Sequence, residues 1–418
     1  MWPITAMTGG RASRAIMTLF HHKNDLTAIC ADQHGGISCR IPVMFWKQRA
    51  YLDFAAGVSG NPSSPHEEGR RAKQMLESAR TVIARLAEVQ ADDVIFAGGA
   101  TEANALALLG HARALKARGA KSVHVLYLPS AHASIVENAK LLAQEGVAVE
   151  PLPIRDCRVD TQALAKVVRD DTALVSMEAV CGETGVVWNT REVAAALKKV
   201  HAILHVDASQ APTTQKITRA HFGADMLTFD ASKVSSIRGI GALVAHRTIP
   251  IVPLYEGGGQ ERGLRSGSEA YELAREFAAA LRAAARGREQ FHAAAQAQRL
   301  ALISAITGTI PDVHINEGRS QAPNILNVSL TGRDTDYLVA LMDEAGFAVS
   351  TRSACETDSE EGSRAVLALF GDPARARATL RISWGPDTRS SELVRFARAL
   401  ARAVAFIDSA PLSGDAAA

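Results

Sequence analysis

The chain has 418 residues, 47% of them hydrophobic and 22% charged, which is enough apolar material for a substantial core and suggests two or three domains. A formal net charge of +2 gives no reason to expect nucleic acid or an acidic membrane as partner, and no apolar run is long enough to span a bilayer. Five cysteines, at 30, 39, 157, 181 and 355, have an irregular spacing that makes no disulfide framework, so a reducing cytoplasm is the expected location.

In chain order, residues 1–50 read as a disordered extension. The first 24 contain no Asp or Glu and carry Arg11, Arg14 and Lys23, and "AIMTLF" is too short for a secretory apolar region. His21, His22, Cys30, His34 and Cys39 match no paired metal-ligand spacing, and no metal site is expected. From Tyr51 strands and helices alternate. "DDVIFAG" reads as a strand and "ATEANALALLGHARAL" as a helix; "SVHVLYL" and "SIVENAKLLAQEG" repeat the pattern. "TALVSMEAV", "AILHVDAS", "ADMLTFDAS" and "GALVAHR" are further strands, with "TREVAAALKKV" a helix between the first two. This alternation predicts a large α/β domain over 51–268 with a mostly parallel sheet. Residues 269–308 are rich in Ala, Arg and Glu with almost no breakers, and predict one or two long helices. A strand ("NILNVSL"), a helix ("TDYLVALMDEAG"), a polar stretch around Cys355, a strand ("TLRISWG") and a closing helix complete a smaller α+β domain over 269–410. Residues 411–418 read as a tail.

Ligands of parallel sheets bind beyond the carboxyl ends of the strands, and four features fall there. "GGATEAN" would open a helix with the free N–H groups of Ala100 and Thr101, a geometry suited to a phosphate. "HVDASQ" places Asp207 and Gln210, "TFDASK" places Lys233, and "SAHAS" places His132. Each alone has a bland reading: a tight connection, a helix cap, a structural histidine. A lysine flanked by apolar strand sequence is less easily dismissed, because lysines rarely settle near a core. Together the four meet the needs of pyridoxal phosphate: a lysine for the Schiff base, a carboxylate for the pyridine nitrogen, a helix start for the phosphate and a flat group over the ring.

With those residues placed, the text resembles the cysteine desulfurases of NifS/IscS type, within the class V aminotransferase-like enzymes that use pyridoxal phosphate. The resemblance rests on "GNPSSPH", "GGATEANALA", "HVDASQ", "GGGQERGLRSGS", "APNILNVSL", "SACETDS" and "LRISWGPDT", in that order. It also includes the 26-residue steps from Asp207 to Lys233 and from Cys355 to Arg381. It implies the fold-type I architecture of pyridoxal phosphate-dependent transferases and a homodimer. By the same resemblance Lys233 holds the cofactor, Asp207 its ring nitrogen and Gln210 its ring hydroxyl, while His132 stacks on the ring and moves protons. Ala100 and Thr101 hold the phosphate, which Ser268 reaches from the partner subunit, and Ser232 is a further cofactor-binding residue. Arg381, with Asn61 nearby, binds the carboxylate of L-cysteine, and Cys355 takes the sulfur as a persulfide for a sulfur-acceptor or scaffold protein, as in iron–sulfur assembly or transfer RNA thiolation.

Three features depart from the family pattern. Ser232 stands where a histidine is usual, and Asp230 stands where a phosphate-binding serine is common. The family's "NNE" reads "CGE", giving Cys181 and Gly182, and "YLDFAAG" runs almost directly into "SGNPSSPH". A carboxylate beside a phosphate is repulsive, so Asp230 must point away, carry a proton or bind something else. Cys181 is a second thiol near the site, and Cys157 is incidental. A selenocysteine lyase or another class V enzyme, and a sulfur-relay protein with a decayed site, are the alternatives left open by these departures.

Overall fold

The computed structural model describes residues 16–22, 25–31, 39–42, 50–351 and 362–409. The chain divides into two compact units, Met1–Ser59 and Gly60–Ala418.

The first unit carries three antiparallel strands, β1 (Ile16–His22), β2 (Asp25–Ala31) and β3 (Cys39–Pro42), with Ile16 opposite Ala31 and Cys30 opposite Cys39. These strands lie within the stretch that the sequence reading took as a disordered extension. The acid-poor composition outweighed the short apolar runs "IMTLF" and "LTAICA", which are strand-length and separated by few residues.

The second unit is built around β4 (Val94–Ala97), β5 (His124–Tyr127), β6 (Ala148–Pro151), the hairpin pair β7 (Ile154–Arg155) and β8 (Arg158–Val159), β9 (Thr172–Glu178), β10 (Ile203–Asp207), β11 (Met226–Asp230) and β12 (Gly241–Ala245). Seven of them make one sheet in the order β4-β12-β11-β10-β9-β5-β6. Pairing is parallel except on the two sides of β12, which runs against both β11 and β4. The mostly parallel α/β reading therefore holds. Val, Ile, Leu and Phe fill the central strands, as a sheet covered on both faces requires, and Leu174, Val206, Leu227 and Leu243 are buried in its core.

The helix opened by "GGATEAN" runs from Ala100 through a π turn at Leu106–Gly110 and on to Ala117. His132 caps the helix Ala133–Gln144. The sequence reading had no helix at Glu67–Ala87, because its charges obscure the apolar stripe; Ala72, Leu76, Ala79 and Ile83 form that stripe in the core. It packs against a single 37-residue helix, Tyr271–Thr307. A second apolar cluster joins this long helix to an antiparallel sheet of β13 (His314–Ile315), β14 (Ile325–Ser329) and β15 (Thr379–Ser383), and to the closing helix Ser390–Ser409. No helix among the described residues is long and apolar enough to cross a membrane.

Sheet register sets up the site. Asp207 at the end of β10 lies opposite Glu178 at the end of β9, and Asp230 at the end of β11 lies opposite Gly241.

Candidate active site

A cavity of about 380 Å³ opens at these carboxyl ends, and it gathers eight of the residues picked out in the sequence: Ala100, Thr101, His132, Asp207, Gln210, Ser232, Lys233 and Arg381. They come from four strand ends of the large sheet and one strand of the small one, so only the folded chain brings them together.

The Asp207 carboxylate is held in place before any ligand arrives. Its Oδ1 accepts from Ser209 N at 2.9 Å and its Oδ2 from Asn104 Nδ2 at 2.7 Å. Asn104 Nδ2 also donates to Ser134 Oγ at 2.9 Å, and Ser134 Oγ lies 2.8 Å from His132 Nδ1. Because Nδ1 accepts from Ser134 N as well, at 3.2 Å, the proton of the neutral ring sits on Nε2. Asp207 and His132 are therefore joined by a fixed relay through two buried side chains. Two residues earlier, His205 is enclosed between Ser176 Oγ and Thr228 Oγ1, and burial lowers its pKa to about 4. That histidine stays neutral and does not cancel the Asp207 charge.

Lys233 ends a single 3-10 turn, Ala231–Lys233, directly after β11. Its side chain is exposed and has no hydrogen bond or ion pair among the described residues, and neither does the Gln210 amide. Both are free to meet a ligand.

Arg381 projects from β15, where Asn327 is its partner across the ladder, and its guanidinium donates to the Gly182 carbonyl at 3.2 Å. Gly182 thus meets Arg381 through its backbone. A Cβ at Gly182 would stand 3.1 Å from Gln210 Nε2, so a side chain there would press on Gln210. Cys355 lies outside the described residues, but the positions flanking its segment are informative. Ser350 exchanges backbone hydrogen bonds with Arg381, and Ser363 Oγ donates to Glu183 Oε2 at 2.6 Å. Arg381 and Glu183 both line the cavity, so both ends of the segment containing Cys355 are tied to it.

At the opposite end of the cavity the structure resolves the question of Asp230. Its Oδ2 accepts from Ala100 N at 2.8 Å, and its Oδ1 accepts from Ser232 N at 2.8 Å and from Ser232 Oγ at 2.6 Å. The carboxylate points at the helix start and is bound there.

Sequence reasoning missed Glu178, Glu183, Ser209 and Arg238, which also line the cavity. Glu178 ends a strand just as Asp207 does, and that signal could have found it. Burial pushes the Glu178 carboxyl well up, and the neighbouring Asp207 charge adds to the effect. Folded protein holds that proton while unfolded chain releases it near the ordinary carboxylate value, so Glu178 costs stability as pH rises above that value. In cofactor-free protein, Glu178→Gln is expected to raise the urea midpoint relative to the parent by an amount that grows from about pH 5 to about pH 8. A pH-independent difference would contradict this. The Cys181 thiol is also pushed well up, chiefly by burial, so it is held as an unreactive thiol. Cys157 is buried in the same protonated state, again through burial.

Asn61 and Ser268 stand apart from the cavity lining and bond to each other, Asn61 Nδ2 to Ser268 Oγ at 3.4 Å.

Three buried polar atoms lining the cavity have no hydrogen-bond partner: Ser130 Oγ, Glu178 Oε1 and Ser209 Oγ. Buried polar groups are rarely left unpaired, so these atoms mark a place for a polar ligand. An anchored carboxylate, an unpaired lysine, an unpaired amide and an imidazole around that place fit the ring of pyridoxal phosphate. The other end offers Thr101 and Ser232, but with Asp230 between them.

A largely parallel α/β sheet with this lysine and carboxylate at its strand ends defines a fold-type I pyridoxal phosphate-dependent enzyme. The aminotransferase class-V family model matches residues 48–396, and the chain belongs to that family. Cysteine desulfurase IscS 1 of Archaeoglobus fulgidus is 31% identical over 355 residues, covering 84% of this chain and 91% of the relative. Among solved structures, a NifS-like protein is 27% identical with a TM-score of 0.77, covering 84% of this chain and 93% of that one. The structure described as SspA in complex with cysteine is also 27% identical, with a TM-score of 0.66 and coverage of 78% and 91%.

Proposed function

We propose that this protein is a pyridoxal phosphate-dependent cysteine desulfurase that converts L-cysteine to L-alanine and keeps the sulfur as a persulfide on Cys355. The observation that carries the reading is the single cavity lined by both Lys233 and the anchored Asp207, with both flanks of the Cys355 segment tied to its lining.

When bound, pyridoxal phosphate supplies an electron sink that labilises bonds at the substrate's α-carbon. The chain's own groups do the rest. Lys233 would hold the cofactor, and Asp207 would pair with its ring nitrogen; Asn104 and Ser209 fix the angle of the Asp207 carboxylate. Gln210 and Ser209 Oγ are the unpaired groups available to ring substituents. Arg381, steadied by the Gly182 carbonyl, binds the substrate carboxylate as a charge-assisted fork. His132, held by Ser134, stores and moves a proton at Nε2. The Cys355 thiolate attacks the substrate sulfur: a sulfur–sulfur bond forms, the carbon–sulfur bonding pair stays on carbon, and that carbon takes a proton to become the methyl group of alanine. A sulfur-acceptor protein then receives the terminal sulfur. We further read the enzyme as a cytoplasmic homodimer in which the partner's copy of the 268 region completes the phosphate end, since Ser268 is off the cavity of its own chain.

Purified protein reconstituted with pyridoxal phosphate is expected to release alanine and sulfide from L-cysteine in the presence of a thiol reductant. Alanine release from L-selenocysteine but not from L-cysteine would replace this reading with a selenocysteine lyase. Release from neither would overturn both.

A further inference from the structure

The expected phosphate anchor is already filled by the protein itself. Ala100 N is the first free donor of a helix that continues to Ala117, and Asp230 Oδ2 sits on it at 2.8 Å. The other carboxylate oxygen is doubly bonded to Ser232, so the side chain is fixed at both ends and the Ser232 hydroxyl is committed too. Backbone geometry reinforces this. Gly99 has φ of 139°, a region that favours glycine, and a Cβ there would lie 3.4 Å from Asp230 Oδ2. Gly241, opposite Asp230 in the sheet, is in turn pressed against Gly99: a Cβ on Gly241 would come within 2.7 Å of its carbonyl carbon. The missing side chain at Gly241 therefore lets the Gly99 backbone at the helix start lie against β12, beside Asp230. Arg238 lines the same cavity and has no ion pair among the described residues.

We propose that Asp230 competes with the phosphate of the cofactor for the Ala100 helix start, so that this chain holds a phosphorylated pyridoxal by its ring and gains little from the phosphate. A helix start can satisfy one anion, and two negative groups cannot share one N–H without strong repulsion. Phosphate can take the Ala100 N–H only by lifting Asp230 off it and freeing the Ser232 hydroxyl, with Arg238 a cation lining the same cavity. Asp230 is thus a specificity-determining residue that narrows the difference between pyridoxal phosphate and pyridoxal. The inference rests on the functional reading above, and its test separates the two.

Cofactor-free full-length protein is titrated with pyridoxal phosphate and with pyridoxal, and bound chromophore is read by absorbance at equilibrium. In the parent, pyridoxal phosphate is expected to bind no more than about tenfold more tightly than pyridoxal. In Asp230→Ser that preference is expected to rise at least about tenfold, through tighter pyridoxal phosphate and unchanged pyridoxal, with inorganic phosphate now competing. A parent preference well above tenfold overturns the inference, and this measurement stands even if the variant fails to fold. Equal shifts for both ligands in Asp230→Ser also overturn it. If the parent binds neither ligand, the functional reading falls first and the inference with it.

Discussion

Lys233→Ala is expected to abolish covalent retention of the cofactor and to lower alanine formation from L-cysteine by about a thousandfold or more. The fold should not change. The Lys233 side chain is exposed and has no bond among the described residues, so its loss should move stability by no more than about 0.5 kcal/mol. The decisive comparison is thermal stability of the cofactor-free proteins beside dialysis of the reconstituted ones. Equal melting with loss of chromophore on dialysis is the expected pair of results. Chromophore retained through dialysis by Lys233→Ala would show that another group holds the cofactor.

The largest effect on stability is expected away from the cavity. Arg80 and Glu261 form a buried two-pronged pair, Nη1 to Oε2 at 2.8 Å and Nη2 to Oε1 at 2.6 Å. Glu261 Oε2 also accepts from Phe96 N at 2.7 Å, and Arg80 Nη1 donates to the Val94 carbonyl at 2.7 Å. The Arg80 guanidinium stacks on the Phe96 ring, 4.9 Å from its centroid. This cluster joins the helix Glu67–Ala87 and β4 to the turn at Glu261–Gly263, where Glu261 and Arg262 both have positive φ, at 48° and 64°. Those angles are costly for residues with side chains, and the ion pair holds the turn in place. Arg80→Met would leave a carboxylate buried without its cation and is expected to destabilise the protein by about 3–5 kcal/mol. Combining it with Glu261→Gln removes the stranded charge and should recover part of that loss. Chemical denaturation of the two variants decides the matter; equal midpoints for both would mean the charge itself carries no cost.

Much of the site was legible because parallel sheets deliver their strand ends to one edge. Asp207, Lys233, His132 and the Ala100 turn each follow a recognisable strand, and chain order alone sends them to the same rim. What the sequence could not supply is lateral order in the sheet. Asp230 and Ala100 are far apart in the chain, and β12 lies between β11 and β4 in the sheet. Gly241 lets the Gly99 backbone lie against β12 beside Asp230, so the carboxylate's choice of partner depends on packing that no linear motif encodes. Glu178 was hidden for a similar reason, since its closeness to Asp207 is a matter of register between β9 and β10. The helix Glu67–Ala87 was lost to composition, where charge masked periodicity. Gly182 illustrates the converse: a missing side chain suggested a weakened site, yet its carbonyl is what Arg381 binds.

The central claim is that sulfur leaves L-cysteine for Cys355. The most direct measurement is the mass of the Cys355 peptide after reconstituted protein has been mixed with L-cysteine without reductant, with alanine assayed in the same sample. The account expects one added sulfur atom on that peptide, removed by reductant, and loss of both the adduct and alanine turnover in Cys355→Ala. Sustained alanine formation by Cys355→Ala, or an added sulfur found on Cys181 instead, would contradict it.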